Sequence, residues 1–208
     1  MKLVISVFVG LILLTNITYA INVDINKKEK VVYKELLKKA NKKTLYRFRL
    51  LDQLIQKSQN KTFLQKLYMT NKFVNRANYL LDKYHWRKKD YWATPYEFIS
   101  TGAGDSEDFA LMKYYVLMLM GIDTSKLKLM NYHKKNRKIV KYRSKIVHDP
   151  QHVVLAYFHS KNAKPLILDT IDNKIFKEKN LKTLEEPSRT KSKDFEELFD
   201  DPTKCKKL

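Results

Sequence analysis

Apolar residues recur at three- and four-residue steps along residues 28–83. Val31, Val32, Leu36 and Leu37 form one set; Leu45, Phe48, Leu51, Leu54 and Ile55 form a second; Phe73, Ala77, Leu80 and Leu81 form a third. That spacing predicts amphipathic helices, with lysines on the solvated faces. An aromatic-rich loop follows over residues 84–95. A further helix is predicted over residues 107–120, stopped by Gly121. Beyond it the period falls to two. Strands are predicted at residues 127–130, 139–142, 152–158 and 165–169, the third being the strongest. Helices first and strands second predict an α+β domain with an antiparallel sheet. From Leu184 onward the chain turns polar and is broken by Pro187 and Pro202, as a loosely held tail would be. No internal repeat is present.

Composition narrows the class. The chain has 208 residues, 44% of them hydrophobic, which suits a single packed domain rather than a disordered chain. Its net charge is +20, from 42 basic and 22 acidic residues. A polyanion partner would fit that charge. However, the basic residues are 35 lysines and 7 arginines spread along the whole length, so general lysine enrichment is the better reading and no nucleic-acid partner is expected. Residues 1–20 read as a secretory signal: Lys2, an apolar run over residues 3–14, then Thr18-Tyr19-Ala20 as a cleavage site. An uncleaved anchor is the alternative. Cys205, the single cysteine, lies in the basic tail, so there is no disulfide framework and no thiol in a structured motif.

The chemistry concentrates around Gly102-Ala103-Gly104-Asp105-Ser106-Glu107-Asp108-Phe109-Ala110. This is a glycine-built turn feeding a helix, and it puts Ser106 where unpaired backbone N–H groups and the helix dipole favour negative charge. His152 opens one predicted strand and Asp169 ends the next. Nucleophile, base and orienting carboxylate in that chain order give a Cys–His–Asp scheme with serine in place of cysteine. His148 is a second candidate base. The β-forming run behind His152 favours His152.

Together with Trp86, Asp90-Tyr91-Trp92-Ala93-Thr94-Pro95 and Glu97-Phe98, these segments resemble the bacterial transglutaminase-like cysteine proteinases of the LapG type. His152-Val153-Val154-Leu155-Ala156-Tyr157 and Pro165-Leu166-Ile167-Leu168-Asp169 resemble that family's histidine and aspartate strands. The resemblance covers roughly residues 73–176. It implies a papain-like or transglutaminase-like core, with residues 21–183 as the proteinase domain: a helical part at 28–83 and a catalytic core at 84–183. It also implies a periplasmic location and cleavage near the N-terminus of a large surface adhesin, releasing biofilm. Control would come from an inner-membrane receptor for cyclic-di-GMP. Catalytic roles would fall to Ser106, His152 and Asp169. Calcium would be bound by Asp105 and Glu107, whose hard oxygens suit the ion; helix capping is the alternative role for those two residues.

Two features depart from the pattern. Residue 106 is serine, whose hydroxyl is far less acidic than a thiol. The segment over residues 132–151 is long and basic. Three readings follow: a weakly active protease, a pseudoprotease that binds the adhesin or the receptor, and a basic polyanion-binding protein. Serine at position 106 places the pseudoprotease slightly ahead. Of Trp86 and Trp92, one is expected in the core and the other in the cleft. Asp90 and Glu97 are expected to fix the loop or cap a helix, and the Met112–Met120 face to pack in the core.

Overall fold

The computed structural model describes residues 40–133, 141–142, 145–146, 152–170 and 172–187. The signal-like leader, the apolar set at residues 31–37, His148 and Cys205 lie outside these residues. The helices are α1 (Lys42–Ser58), α2 (Phe63–Val74), α3 (Asp82–His85), α4 (Pro95–Thr101) and α5 (Ser106–Leu119). The strands are β1 (Asn78–Tyr79), β2 (Ala103–Gly104), β3 (Leu127–Tyr132), β4 (Lys141–Tyr142), β5 (Lys145–Ile146), β6 (Val153–Tyr157), β7 (Leu166–Leu168), β8 (Phe176–Lys177) and β9 (Leu184–Glu185). No helix among the described residues is long and apolar enough to cross a membrane.

The principal sheet runs β8-β7-β6-β3-β9 with every neighbouring pair antiparallel, so the fold is the expected α+β arrangement. Its centre is β6, all five residues of which are buried. A strand buried on both faces reads as a continuous apolar run, which is how Val153 to Tyr157 reads.

Helix α5 is the core. Phe109, Leu111, Met112, Val116 and Leu117 are buried, and α2, α4, β3 and β6 all pack against the helix. Full burial of each such side chain contributes about 1.5–3 kcal/mol. Met112 and Met120 lie in this core, as expected. The helix therefore cannot shift without disturbing the whole domain, which fixes the position of its first residue, Ser106.

Three elements differ from the periodicity reading. Ala77, Leu80 and Leu81 follow a helical step, yet α2 ends at Val74 and β1 runs parallel to β2. Asn78 donates its N–H to the Gly102 carbonyl (3.0 Å) and Leu80 donates to that of Gly104 (2.8 Å). Pairing with a distant segment overrides the local period here. Residues 95–101, which begin within the aromatic loop, form α4. Pro95 opens this helix, and Thr94 and Glu97 make a reciprocal capping box. Finally, β9 sits just beyond the expected tail boundary and pairs with β3.

Candidate active site and metal centre

The turn between α4 and α5 depends on two glycines. Gly102 ends α4 in the left-handed region at φ +67°, where a side chain is strained. Gly104 permits a close approach: a Cβ there would lie 2.6 Å from both Cβ and Oδ2 of Asp108. The turn delivers Ser106 to the first position of α5 with its side chain fully buried.

Three sequence-expected residues meet at this point. His152 Nε2 lies 2.9 Å from Asp169 Oδ1, and both side chains are buried. Val153, the residue after His152, donates its N–H to Ser106 Oγ at 3.1 Å. The base and its orienting carboxylate thus form a hydrogen-bonded dyad, with residue 106 against the backbone that carries the base. Nε2 serves Asp169, which leaves Nδ1 as the other nitrogen of the ring; it is buried. The structure brings His152 against Asp169, as expected of the preferred candidate; His148 lies outside the described residues. Thr170 Oγ1 also donates to Asp169 Oδ1 (3.3 Å).

The Ser106 hydroxyl itself donates to Glu107 Oε2 at 3.1 Å. With its hydrogen on a carboxylate and an amide donating to its oxygen, the hydroxyl is held as a neutral alcohol.

Beside it lies an acidic cluster. Carboxylate oxygens of Asp82, Asp105 and Asp108 all fall within 4.8 Å of one another, and all three residues are buried. A second grouping of the same tightness joins Asp82 to Asp90 and Glu107. Asp105 makes no side-chain cap to α5, so capping does not account for it. Instead its Oδ2 accepts from the Asp82 N–H at 3.4 Å. Asp82 Oδ2 also accepts from the Tyr91 N–H, and Asp108 Oδ1 accepts from the Ala93 N–H at 2.7 Å.

The electrostatics are unfavourable without a cation. Burial, then the charges of Glu107, Asp108 and Asp82, push the Asp105 carboxyl up to about 11. Burial and Glu107 hold Asp108 well above the usual carboxylate range. Burial, opposed in part by the Tyr91 N–H, leaves Asp82 at about 6. Oδ1 of Asp82, Oδ1 of Asp105 and Oδ2 of Asp108 are buried with no hydrogen-bond partner among the described residues. Buried oxygens of this kind are costly unless paired or coordinated. A compact set of hard oxygen donors fits a divalent cation such as calcium.

Sequence reasoning marks Asp105, which belongs to the first grouping, and Glu107, which belongs to the second. It missed Asp82, which sits 23 residues before Asp105 and arrives only through the β1–β2 pairing. It also missed Asp108 as a donor, although Asp108 lies in the glycine-turn segment itself. Asp90, expected to fix the loop, joins the second grouping. Glu97 caps α4 and accepts from the Tyr91 hydroxyl at 2.8 Å. Trp92 is in the core, whereas Trp86 is half-buried and packs with tilted rings against His85 (4.3 Å) and Tyr91 (5.0 Å).

The family profile of bacterial transglutaminase-like cysteine proteinases (BTLCP) matches residues 51–180, which contain the whole dyad, residue 106 and the acidic cluster. The chain belongs to this family. Among solved structures, calcium-bound Legionella pneumophila LapG is similar at 29% identity and a TM-score of 0.58, over 74% of this chain and 78% of that one. EGTA-treated LapG from the same organism gives 30% identity and a TM-score of 0.57 over the same shares. A further LapG structure gives 29% identity and a TM-score of 0.58 over 78% of this chain and 81% of that one. A search of curated proteins gives no match. The LapG-like fold accounts for the N-terminal helices followed by a curled sheet.

Proposed function

We propose that this chain is an exported, calcium-binding member of the LapG-like proteinase family that engages the N-terminal region of a large surface adhesin. In this reading an inner-membrane cyclic-di-GMP receptor controls its availability in the periplasm. We further propose that it holds its protein target rather than cutting it efficiently, with Ser106 in the position of the nucleophile.

The observation that carries the reading is the His152–Asp169 dyad with Ser106 Oγ against the Val153 N–H. A thiol at position 106 could pass its proton to His152 Nδ1 and attack a peptide carbonyl. Backbone N–H groups at the start of α5 would then face the developing oxyanion. Serine does this poorly: its proton is far less acidic, and here it is directed to Glu107. The calcium-bound and EGTA-treated LapG neighbours support calcium as the ion for Asp82, Asp105 and Asp108, with Asp90 and Glu107 alongside. When bound, calcium supplies positive charge that keeps these carboxylates ionised.

The test is a cleavage and binding assay on the N-terminal segment of the cognate adhesin, with calcium or EGTA, comparing the natural chain with Ser106→Cys. The expected result is calcium-dependent binding by both and cleavage by the cysteine form. Equal cleavage by the serine form, abolished by His152→Ala, would establish a working serine triad instead. Absence of both binding and cleavage would overturn the reading.

A further inference from the structure

The strand end that carries Asp169 is gripped from outside the sheet. Asn75 Nδ2 donates to the Asp169 carbonyl at 2.9 Å and to that of Asp172 at 3.3 Å. Asn71 Nδ2, one turn earlier on α2, donates to the same Asp172 carbonyl at 3.0 Å. All three contacts run from side-chain amide to backbone carbonyl, which fixes the orientation of both amides, since only the NH2 end can serve an acceptor.

Neither asparagine is explained by helix chemistry. Asparagine is favoured at helix ends for its tolerance of the left-handed region, but Asn75 sits at φ −67°, ψ 0°. Asn71 lies in the third turn of α2, where asparagine is a poor helix former. It is fully buried, and the Oδ1 atoms of both residues lack a hydrogen-bond partner among the described residues. Two buried acceptors are left unsatisfied so that two amides can reach the segment behind Asp169, and that cost marks the donors as the purpose of the arrangement.

We propose that Asn75, backed by Asn71, is a positioning residue that sets the Asp169 carboxylate and, through it, the His152 imidazole. Asp169 follows directly on β7, a strand of only three residues, so the backbone there has little sheet pairing to define it. The 2.9 Å contact to His152 depends on where that strand end lies. Without the amides, the strand end relaxes and the imidazole loses its orienting charge. This inference rests on the site reading above. Two charged groups of α5 contact residues beside the dyad: Glu107 accepts from Ser106, and Lys113 donates to the Leu168 carbonyl.

The test reads the contact between His152 and Asp169 directly and needs no substrate. In the full natural chain, saturated with calcium, the His152 ring N–H that faces Asp169 is followed by proton NMR. A ring N–H held by a buried carboxylate keeps its proton on that nitrogen, resonates downfield of the amides and exchanges slowly with water. Asn75→Ala is expected to shift or broaden that resonance and to speed its exchange by about tenfold. Ile55→Val, a core substitution on α1, is expected to lower the melting temperature and leave the resonance in place. If Asn75→Ala fails to fold, Asn75→Ser is read instead, its side chain being too short for both carbonyls. A downfield resonance that Asn75 variants leave unmoved would overturn the proposal alone. No such resonance in the natural chain, or one that survives Asp169→Asn, would overturn the site reading and the proposal with it.

Discussion

Ser106 donates its hydroxyl hydrogen to Glu107, its sequence neighbour, across 3.1 Å. A nucleophile in this scheme has to pass that proton to His152, so the resting contact directs it the wrong way. Placing sulfur at position 106 is therefore expected to raise peptide cleavage by about 10³-fold or more. Adding Asp169→Asn should remove most of the gain, because the imidazolium then loses its partner. Initial rates on the adhesin segment check both.

Asp82 and Asp108 are expected to hold the ion as firmly as Asp105, which is legible in the motif. Asp82→Asn and Asp108→Asn should each weaken calcium affinity by about 10- to 100-fold, measured by isothermal titration calorimetry. Asp172→Asn, at an exposed carboxylate outside the cluster, should leave affinity unchanged.

Calcium binding should release protons. Without the ion, Asp105 titrates at about 11 against an ordinary 3.8, so it is protonated at pH 7 and must ionise to coordinate. The same shift means that the metal-free fold loses stability as pH climbs from about 4 towards 11, because the folded state binds the proton more tightly than the unfolded state. The melting-temperature gain from calcium is thus expected to be larger at pH 8 than at pH 6. An equal gain at both would show that the cluster is already ionised.

Much of the dyad could be read from the chain because its parts are local. The glycine turn and the helix behind it mark Ser106, and apolar β-forming runs mark the strands beside His152 and Asp169. The acidic cluster could not be read as a whole. Asp82 lies in a segment whose helical period misleads; only the hydrogen bonds from Asn78 and Leu80 to the Gly102–Gly104 turn bring it into place. Helix α4 was legible in principle, since Thr94-Pro95-Tyr96-Glu97 is a capping box with proline at the first position. The surrounding aromatics drew the reading towards a loop instead.

Gly104 should tolerate no side chain. A Cβ 2.6 Å from Asp108 Oδ2 would displace that carboxylate, so Gly104→Ala is expected to destabilise the fold by about 1–3 kcal/mol and to weaken calcium binding together with it. Denaturation with and without calcium separates the two effects.

Lys113 is buried and donates to the Leu168 carbonyl at 3.4 Å, and burial holds its amine well below the usual lysine range. A depressed amine makes stability fall as pH drops below about 10, where the unfolded chain takes up the proton first. Lys113→Met is expected to raise stability at pH 7 and to flatten that alkaline slope. Urea unfolding at pH 7 and pH 10 reads the difference.

Helix α5 is held along its length by α2, α4, β3 and β6, so residues other than 106 set where the helix begins. Serine and cysteine side chains differ by one atom. On the proposed reading, that atom, rather than any feature of the scaffold, separates holding a target from cutting it.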